Sequence, residues 1–371
     1  KPLLIAGGGV LYSGASRTLA AFAEAHDVPV AETQAGKSSI AASHPLAVGS
    51  VGVTGTSAAN ALAEEADVIL AVGTRLQDFT TGSWALFKNP DRRFIGLNVQ
   101  VFDATKHRAL PLVADAKAGL EELSANLAGW RAGKGWREKA ESGRTAWLEE
   151  AGRFTGRTNT VPPSDAQVVG ASGGLPGELH KHWQAERPFG YHLEYGYSCM
   201  GYEIAGGIGV KMALPERDVV VLVGDGSYLM MNSEIATSVL IGAKLTIVVL
   251  DNRGYGCITR LQMATGSERF NNLFVDTRHA ALPDIDFRAH AESLGAIAER
   301  VTTIDELEAA LDRARGNDRT TVIVIETDPF VTTEAGGHWW DVAVPEVSER
   351  RAVEAARSAY ETALPDQRLG D

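Results

Sequence analysis

Apolar residues follow two alternating rhythms along this chain. Short, mostly apolar runs of strand length recur at 3–6, 28–31, 68–72, 94–99, 219–223, 245–250 and 321–325. Between them, apolar positions recur every three or four residues, the period of an amphipathic helix, at 15–26, 58–66, 232–241, 305–314 and in a tail at 348–363. Continuous apolar strands are buried on both faces, and strands that alternate with helices build βαβ units and parallel sheets. The pattern therefore predicts an α/β protein with two doubly wound parallel-sheet domains. The first covers residues 1–128 and the second 166–345. A helix and linker at 129–165 join them, and a C-terminal helix and tail at 346–371 close the chain.

Two stretches depart from the rhythm. At 129–165, Trp130, Trp136 and Trp147 stand among Lys, Arg and Glu, ahead of a turn-rich segment with Pro162-Pro163. This reads as an amphipathic surface helix followed by a crossing linker over 158–165. At 165–170, Asp165 caps what reads as the start of a helix, yet Ala171-Ser172-Gly173-Gly174 interrupts it at once. Either that helix is a single turn, or about fifteen residues of helix and strand are missing there. The chain also opens directly inside a predicted strand, without Met, so an upstream segment is expected to be left out.

Composition narrows the function. A formal net charge of -12 opposes nucleic-acid binding, which needs Lys and Arg against phosphates. No apolar run reaches the eighteen or so residues of a membrane span. Hydrophobic residues make up 44% of the chain, enough for a core in each domain. Cys199 and Cys257 are the only cysteines; they make no disulfide framework and fit a reducing, cytoplasmic setting.

Candidate chemistry gathers at two strand ends. Gly224-Asp225-Gly226-Ser227 follows the run at 219–223, and Asp251-Asn252-Arg253-Gly254-Tyr255-Gly256 follows the run at 245–250. In an open parallel sheet, ligands bind at the carboxyl ends of strands. A hard cation such as magnesium takes a few protein oxygens together with phosphate oxygens and water. The Asp225 carboxylate, the Asn252 amide oxygen and the Gly254 carbonyl can supply them. Gly226 admits a phosphate to the backbone, Ser227 can donate to it, and a helix starting near Asn232 would point its amides the same way. Gly36-Lys37-Ser38 is not a phosphate loop, because Ala31 stands where that motif needs glycine.

An apolar strand ending in Gly-Asp-Gly, with an Asn 27 positions after the Asp at the end of the next strand, resembles the signature of thiamine-diphosphate-dependent enzymes. The segment Glu194–Glu203 with Gly206-Gly207 resembles the stretch that passes beside the cofactor rings in that family. Residues 35–40, 44–45, 49–52 and 66–75 resemble the central domain of its acetolactate-synthase-like group. Residues 190–203, 224–234 and 339–342 resemble the cyclic-dione hydrolases of that family, which act in myo-inositol catabolism. The resemblance runs across the whole chain.

It implies a central domain followed by a diphosphate- and magnesium-binding domain. It also implies hydrolytic carbon–carbon ring opening of trihydroxycyclohexane-1,2-dione to 5-deoxyglucuronate. Asp225, Asn252 and Gly254 are implied as magnesium ligands. Gly173, Gly174, Ser198, Cys199, Met200, Gly224, Gly226, Ser227, Asn252, Gly254, Tyr255 and Gly256 are implied around thiamine diphosphate, with Met200 under the bent cofactor. His192, Tyr255 and Gln262 are the candidate catalytic side chains. FAD is not expected, since Gly7-Gly8-Gly9 is too generic a fingerprint. A homodimer or homotetramer acting on a small molecule is expected, without nucleic acid or membrane partners. The family's N-terminal pyrimidine-binding domain, with the glutamate that activates the cofactor, has no counterpart in these residues. Three other readings stay open: a carboligase or decarboxylase such as acetolactate synthase, an inactive cofactor-binding fragment, and a nucleotide-binding regulatory module built on the first domain.

Overall fold

The structure is a computed structural model and describes residues 1–155, 166–333 and 336–367. The expected linker at 158–165 lies outside the described residues.

The first sheet holds β1 (Pro2–Ala6), β2 (Val30–Glu32), β3 (Ala47–Ser50), β4 (Val68–Val72), β5 (Arg93–Asn98) and β6 (Leu110–Val113). Their order is β3-β2-β1-β4-β5-β6, with every pairing parallel. The second holds β7 (Gln167–Gly170), β8 (Tyr191–Leu193), β9 (Val219–Gly224), β10 (Thr246–Asp251), β11 (Ile297–Val301) and β12 (Thr321–Glu326). Its order is β11-β12-β10-β9-β7-β8, again parallel. Central strands such as β1 and β4 are buried along almost their whole length, as continuous apolar runs require. Helices cover the faces; Ser16–His26, Ser57–Glu65 and Ile304–Gly316 fall within a few residues of their expected positions. Among the described residues no helix is long and apolar enough to cross a membrane.

Three expectations are corrected. Residues 167–170, read as the start of a helix, form the buried strand β7, paired with both β8 and β9. A four-residue run carries too little periodicity to separate helix from strand, and the Val168-Val169 pair suits a strand buried on both faces. The helix expected at 232–241 is present as Glu234–Leu240, but a further helix, Asp225–Met231, precedes it where a loop was expected. Asp225–Met231 begins directly at the end of β9, where Gly-Asp-Gly-Ser reads as a loop because those residues favour turns. The helix Lys134–Thr155 is no bland surface element. The Trp136 indole is 5% exposed in the first domain's core and donates to the Pro2 carbonyl at 2.8 Å. Further along, Trp147 is buried against Ala58 and Ala151 and stacks on His182 of the second domain. Trp136→Ala removes that volume and leaves a buried carbonyl unpaired. It is expected to destabilise the protein by about 3–5 kcal/mol, read as a lower denaturant midpoint; an unchanged midpoint would refute this.

After β12 the chain returns to the first domain. Gly337 and His338 donate to the Gly55 and Val53 carbonyls, the Trp340 indole donates to Asp78 at 2.7 Å, and the Asp341 amide to Ser83 Oγ at 3.0 Å. The helix Leu175–His182 makes the second bridge, because Gln34 donates to the Pro176 carbonyl and accepts from the Tyr191 hydroxyl at 2.8 Å. These contacts hold the two sheets together and leave the carboxyl ends of β7, β9 and β10 facing one cavity.

Candidate functional site

Strands β9 and β10 lie side by side in the middle of the second sheet, with Gly224 opposite Leu250. Asp225 and Asn252 therefore emerge next to each other at the carboxyl edge, where a cavity of ≈ 450 Å³ opens. Asp225 is 1% exposed. Its Oδ2 accepts from the Gly254 amide at 2.7 Å, while its Oδ1 is buried without a partner. Asn252 Oδ1 is likewise buried and unpartnered. Burial pushes the Asp225 carboxyl up to about 6; the Gly254 N–H opposes this and the Asp251 charge adds to it. Two desolvated oxygens on one cavity, one of them anionic, are unfavourable alone and complementary to a cation.

Gly254 has φ +144°, and a Cβ there would lie 2.3 Å from the Asn272 carbonyl oxygen. Only glycine fits, and its amide holds Asp225 in place. Gly254→Ala is expected to cost about 2 kcal/mol or more by forcing this backbone apart. Thermal denaturation checks this; an unshifted melting temperature would contradict the strain argument.

The remaining predicted residues divide cleanly. Gly224, Gly226, Ser227, Gly254 and Gly256 line the cavity from β9, β10 and the turns after them. Gly173 and Gly174 line it from the loop after β7, and Ser198 and Met200 from the loop before the helix Tyr202–Ala213. Tyr255, 40% exposed, lies across Gly226, where a Cβ would stand 2.6 Å from the ring. Cys199 does not line the cavity; it is exposed, and its amide donates to Glu194 at 2.6 Å. His192 lies in a separate cleft of ≈ 540 Å³, hydrogen-bonded to the Tyr202 hydroxyl at 2.6 Å. Burial lowers the pKa of its imidazole. Gln262 is also outside the cavity, with Oε1 accepting from Asn272 Nδ2 at 2.7 Å and from the Phe270 amide. Of the three candidate catalytic side chains, only Tyr255 faces the site.

The cavity also has residues that sequence reasoning missed: Ser172, Glu178, Arg260, Asp328 and Thr332. They stand on helices or loops with no motif around them, and no local spacing marks them.

Among the described residues no group of three His, Cys, Asp or Glu could hold a metal. The unpartnered Asp225 and Asn252 oxygens suit a cation that takes few protein oxygens and completes its shell with ligand oxygens and water. Glycine on three sides would let an anionic group approach the backbone.

Residues 171–325 match the family described as the thiamine pyrophosphate enzyme, C-terminal TPP binding domain. Residues 1–123 match the thiamine pyrophosphate enzyme, central domain. This chain belongs to the thiamine pyrophosphate enzyme family. Its two sheets are therefore the central and the cofactor-binding domains of that family, and thiamine diphosphate is the cofactor its second domain is built to bind. The chain is 39% identical over 400 residues to a 3D-(3,5/4)-trihydroxycyclohexane-1,2-dione hydrolase 2 of Bacillus cereus, covering 96% of this chain and 62% of the relative. It is 41% identical over 399 residues to the hydrolase of the same name, without the number, from Geobacillus thermodenitrificans, with the same coverage. The chain thus spans 62% of the length of these relatives. An alignment longer than the 371-residue chain also means that the relatives carry internal segments it lacks.

Proposed function

We propose that this protein takes part in hydrolytic ring opening of trihydroxycyclohexane-1,2-dione to 5-deoxyglucuronate, with magnesium thiamine diphosphate bound in the ≈ 450 Å³ cavity. The observation that carries the site is the pair of buried, unpartnered oxygens, Asp225 Oδ1 and Asn252 Oδ1, on one cavity wall. The substrate is supported by relatives of that activity, about 40% identical across nearly the whole chain.

In this reading residues 166–345 are the diphosphate- and magnesium-binding domain and 1–128 the central domain. Residues 129–165 connect them, and 346–371 form the closing helix and tail. Asp225, Asn252 and the Gly254 carbonyl hold magnesium, and the Gly254 N–H keeps the Asp225 carboxylate turned into the site. Ser227 and the backbone at Gly226, Gly173 and Gly174 receive the diphosphate. Ser198, Met200 and Tyr255 form the walls on which the rest of the cofactor rests. Bound there, thiamine diphosphate supplies an electron sink for cleaving a carbon–carbon bond beside a ketone. The protein's share is to bind, orient and exclude competing chemistry. Cytoplasmic location and a homodimer or homotetramer belong to the same proposal. The exposed apolar Tyr197, Leu229, Met230 and Met231 beside the site favour an assembled form.

Turnover tests it. Protein purified from its own host, with magnesium and thiamine diphosphate, is expected to convert the dione to 5-deoxyglucuronate, followed by mass spectrometry. Condensation of pyruvate with the dione left untouched would replace this reading by a carboligase.

A further inference from the structure

The cavity has two chemically distinct halves. One offers acceptors only: Asp225 Oδ1 and Asn252 Oδ1. The other mixes one cation with two carboxylates that already have partners: Glu178 accepts from Thr332 and Thr333, and Asp328 Oδ1 accepts from the Phe330 amide. Arg260, on the helix Gly256–Ala264, turns its guanidinium into the cavity. It lies against the Gly173-Gly174 turn, so closely that a Cβ on Gly174 would stand 2.5 Å from Arg260 Nη2. Nη1 donates to the Pro329 carbonyl at 2.6 Å, and no ion pair with a carboxylate occupies the group among the described residues. On the same wall, the Ser172 hydroxyl oxygen is buried without a partner. A guanidinium anchored by one nitrogen, with its other donors open beside a glycine turn and an unused hydroxyl, is an anion receptor. Its planar fork matches phosphate oxygens in a way that a lysine does not.

We propose that Arg260, with Ser172, grips the diphosphate directly, as a second cation separate from the metal. The inference rests on the reading of the cavity as a magnesium diphosphate site. Its consequence is that part of the diphosphate affinity of this protein comes from a side chain and does not need the thiamine rings. Glycine at 174 serves it by letting Nη2 approach the turn end-on, where a Cβ would stand 2.5 Å away. The Pro329 carbonyl bond fixes the guanidinium's position, so little side-chain freedom is lost on binding.

The test is calorimetry on the full chain. Magnesium thiamine diphosphate is titrated first, and then magnesium with inorganic pyrophosphate alone, into parent, Arg260→Gln and Arg260→Lys. Arg260→Gln is expected to lose about 10- to 100-fold in pyrophosphate affinity. Arg260→Lys should fall between, and the ligand-free melting temperature should drop by no more than the loss of the one Pro329 hydrogen bond explains. If the parent binds magnesium thiamine diphosphate and Arg260→Gln binds pyrophosphate as well as the parent does, Arg260 is not a phosphate ligand, although the site stands. If the parent binds neither ligand, the reading of the cavity fails and takes this inference with it. A second measurement needs no variant. Phenylglyoxal labelling of the parent, mapped by peptide mass, should spare Arg260 when magnesium pyrophosphate is present. Equal labelling with and without saturating pyrophosphate would overturn the proposal.

Discussion

Replacing Asp225 with alanine is expected to lower the affinity for magnesium thiamine diphosphate by at least about 100-fold. Losing a hydrogen bond one step removed from a metal already costs about 10- to 100-fold, and Asp225 is proposed as a direct ligand. The geometry gives the site a second, opposite signature. Without a cation, the carboxylate is a buried charge with one oxygen unpaired, which is why burial raises its pKa to about 6. A buried, unpaired charge is costly, so removing it is not expected to destabilise the ligand-free fold. Asp225→Asn keeps an oxygen for the Gly254 amide and discards the charge. Its ligand-free melting temperature should therefore equal or exceed that of the parent, while magnesium-dependent binding falls. Calorimetry and thermal denaturation on the same samples check both halves. A variant that binds like the parent would remove Asp225 from the metal site. One that both melts early and binds poorly would make the residue structural.

Acid is expected to weaken the protein through His180, at the seam between the domains. The residue is 1% exposed. Its Nδ1 shares a hydrogen bond with Thr54 Oγ1 at 2.9 Å, its carbonyl accepts from Ser50 Oγ, and its Nε2 is buried without a partner. Burial, reinforced by the Lys37 charge, pushes its pKa down to about 3. The unfolded chain binds a proton near pH 6.5, and the folded one refuses it until about pH 3. His180 thus contributes stability that is fully present above pH 6.5 and is lost as the pH falls toward 3. The slope is about 1.4 kcal/mol per pH unit, and the whole window is on the order of 5 kcal/mol. Other charged groups surround it. Lys37 is held low by burial and acts in the same sense; Glu32 is held high by burial and acts against it. Lys181 and His182, next along the helix, are also lowered by burial. His180→Gln isolates the contribution. Urea unfolding between about pH 7 and 4 should show a shallower loss in the variant, by about one proton's slope. Parallel profiles would show that His180 is not the group that titrates.

Sheet interiors were legible in the sequence, and sheet edges were not. The central strands β1, β4, β5, β9, β10 and β12 stand between neighbours, so each is largely apolar, and each shows as a mostly apolar run. The edge strands β3, β6, β8 and β11 are Ala-Val-Gly-Ser, Leu-Pro-Leu-Val, Tyr-His-Leu and Ile-Ala-Glu-Arg-Val. Each is short or interrupted by a polar residue or proline, so no apolar run marks it. Strand β7 reads locally as a helix because its identity comes from pairing with the distant strands β8 and β9, a relation no local period records.

The site divides along the same line. Asp225 and Asn252 were readable because each is tied to its own strand end, and parallel pairing brings adjacent strand ends together. Met200 and the glycines came from motifs that resemble a family. Arg260, Ser172 and the isolation of His192 in another cleft are long-range facts. Arg260 reaches the cavity only because the helix Gly256–Ala264 lies over the Gly173-Gly174 turn, more than eighty residues away in the chain. What the sequence determined by itself was whatever a strand's burial or a strand end's position enforces locally. The tertiary structure alone decided which distant side chains share a cavity, because that depends on how the helices settle on the sheet.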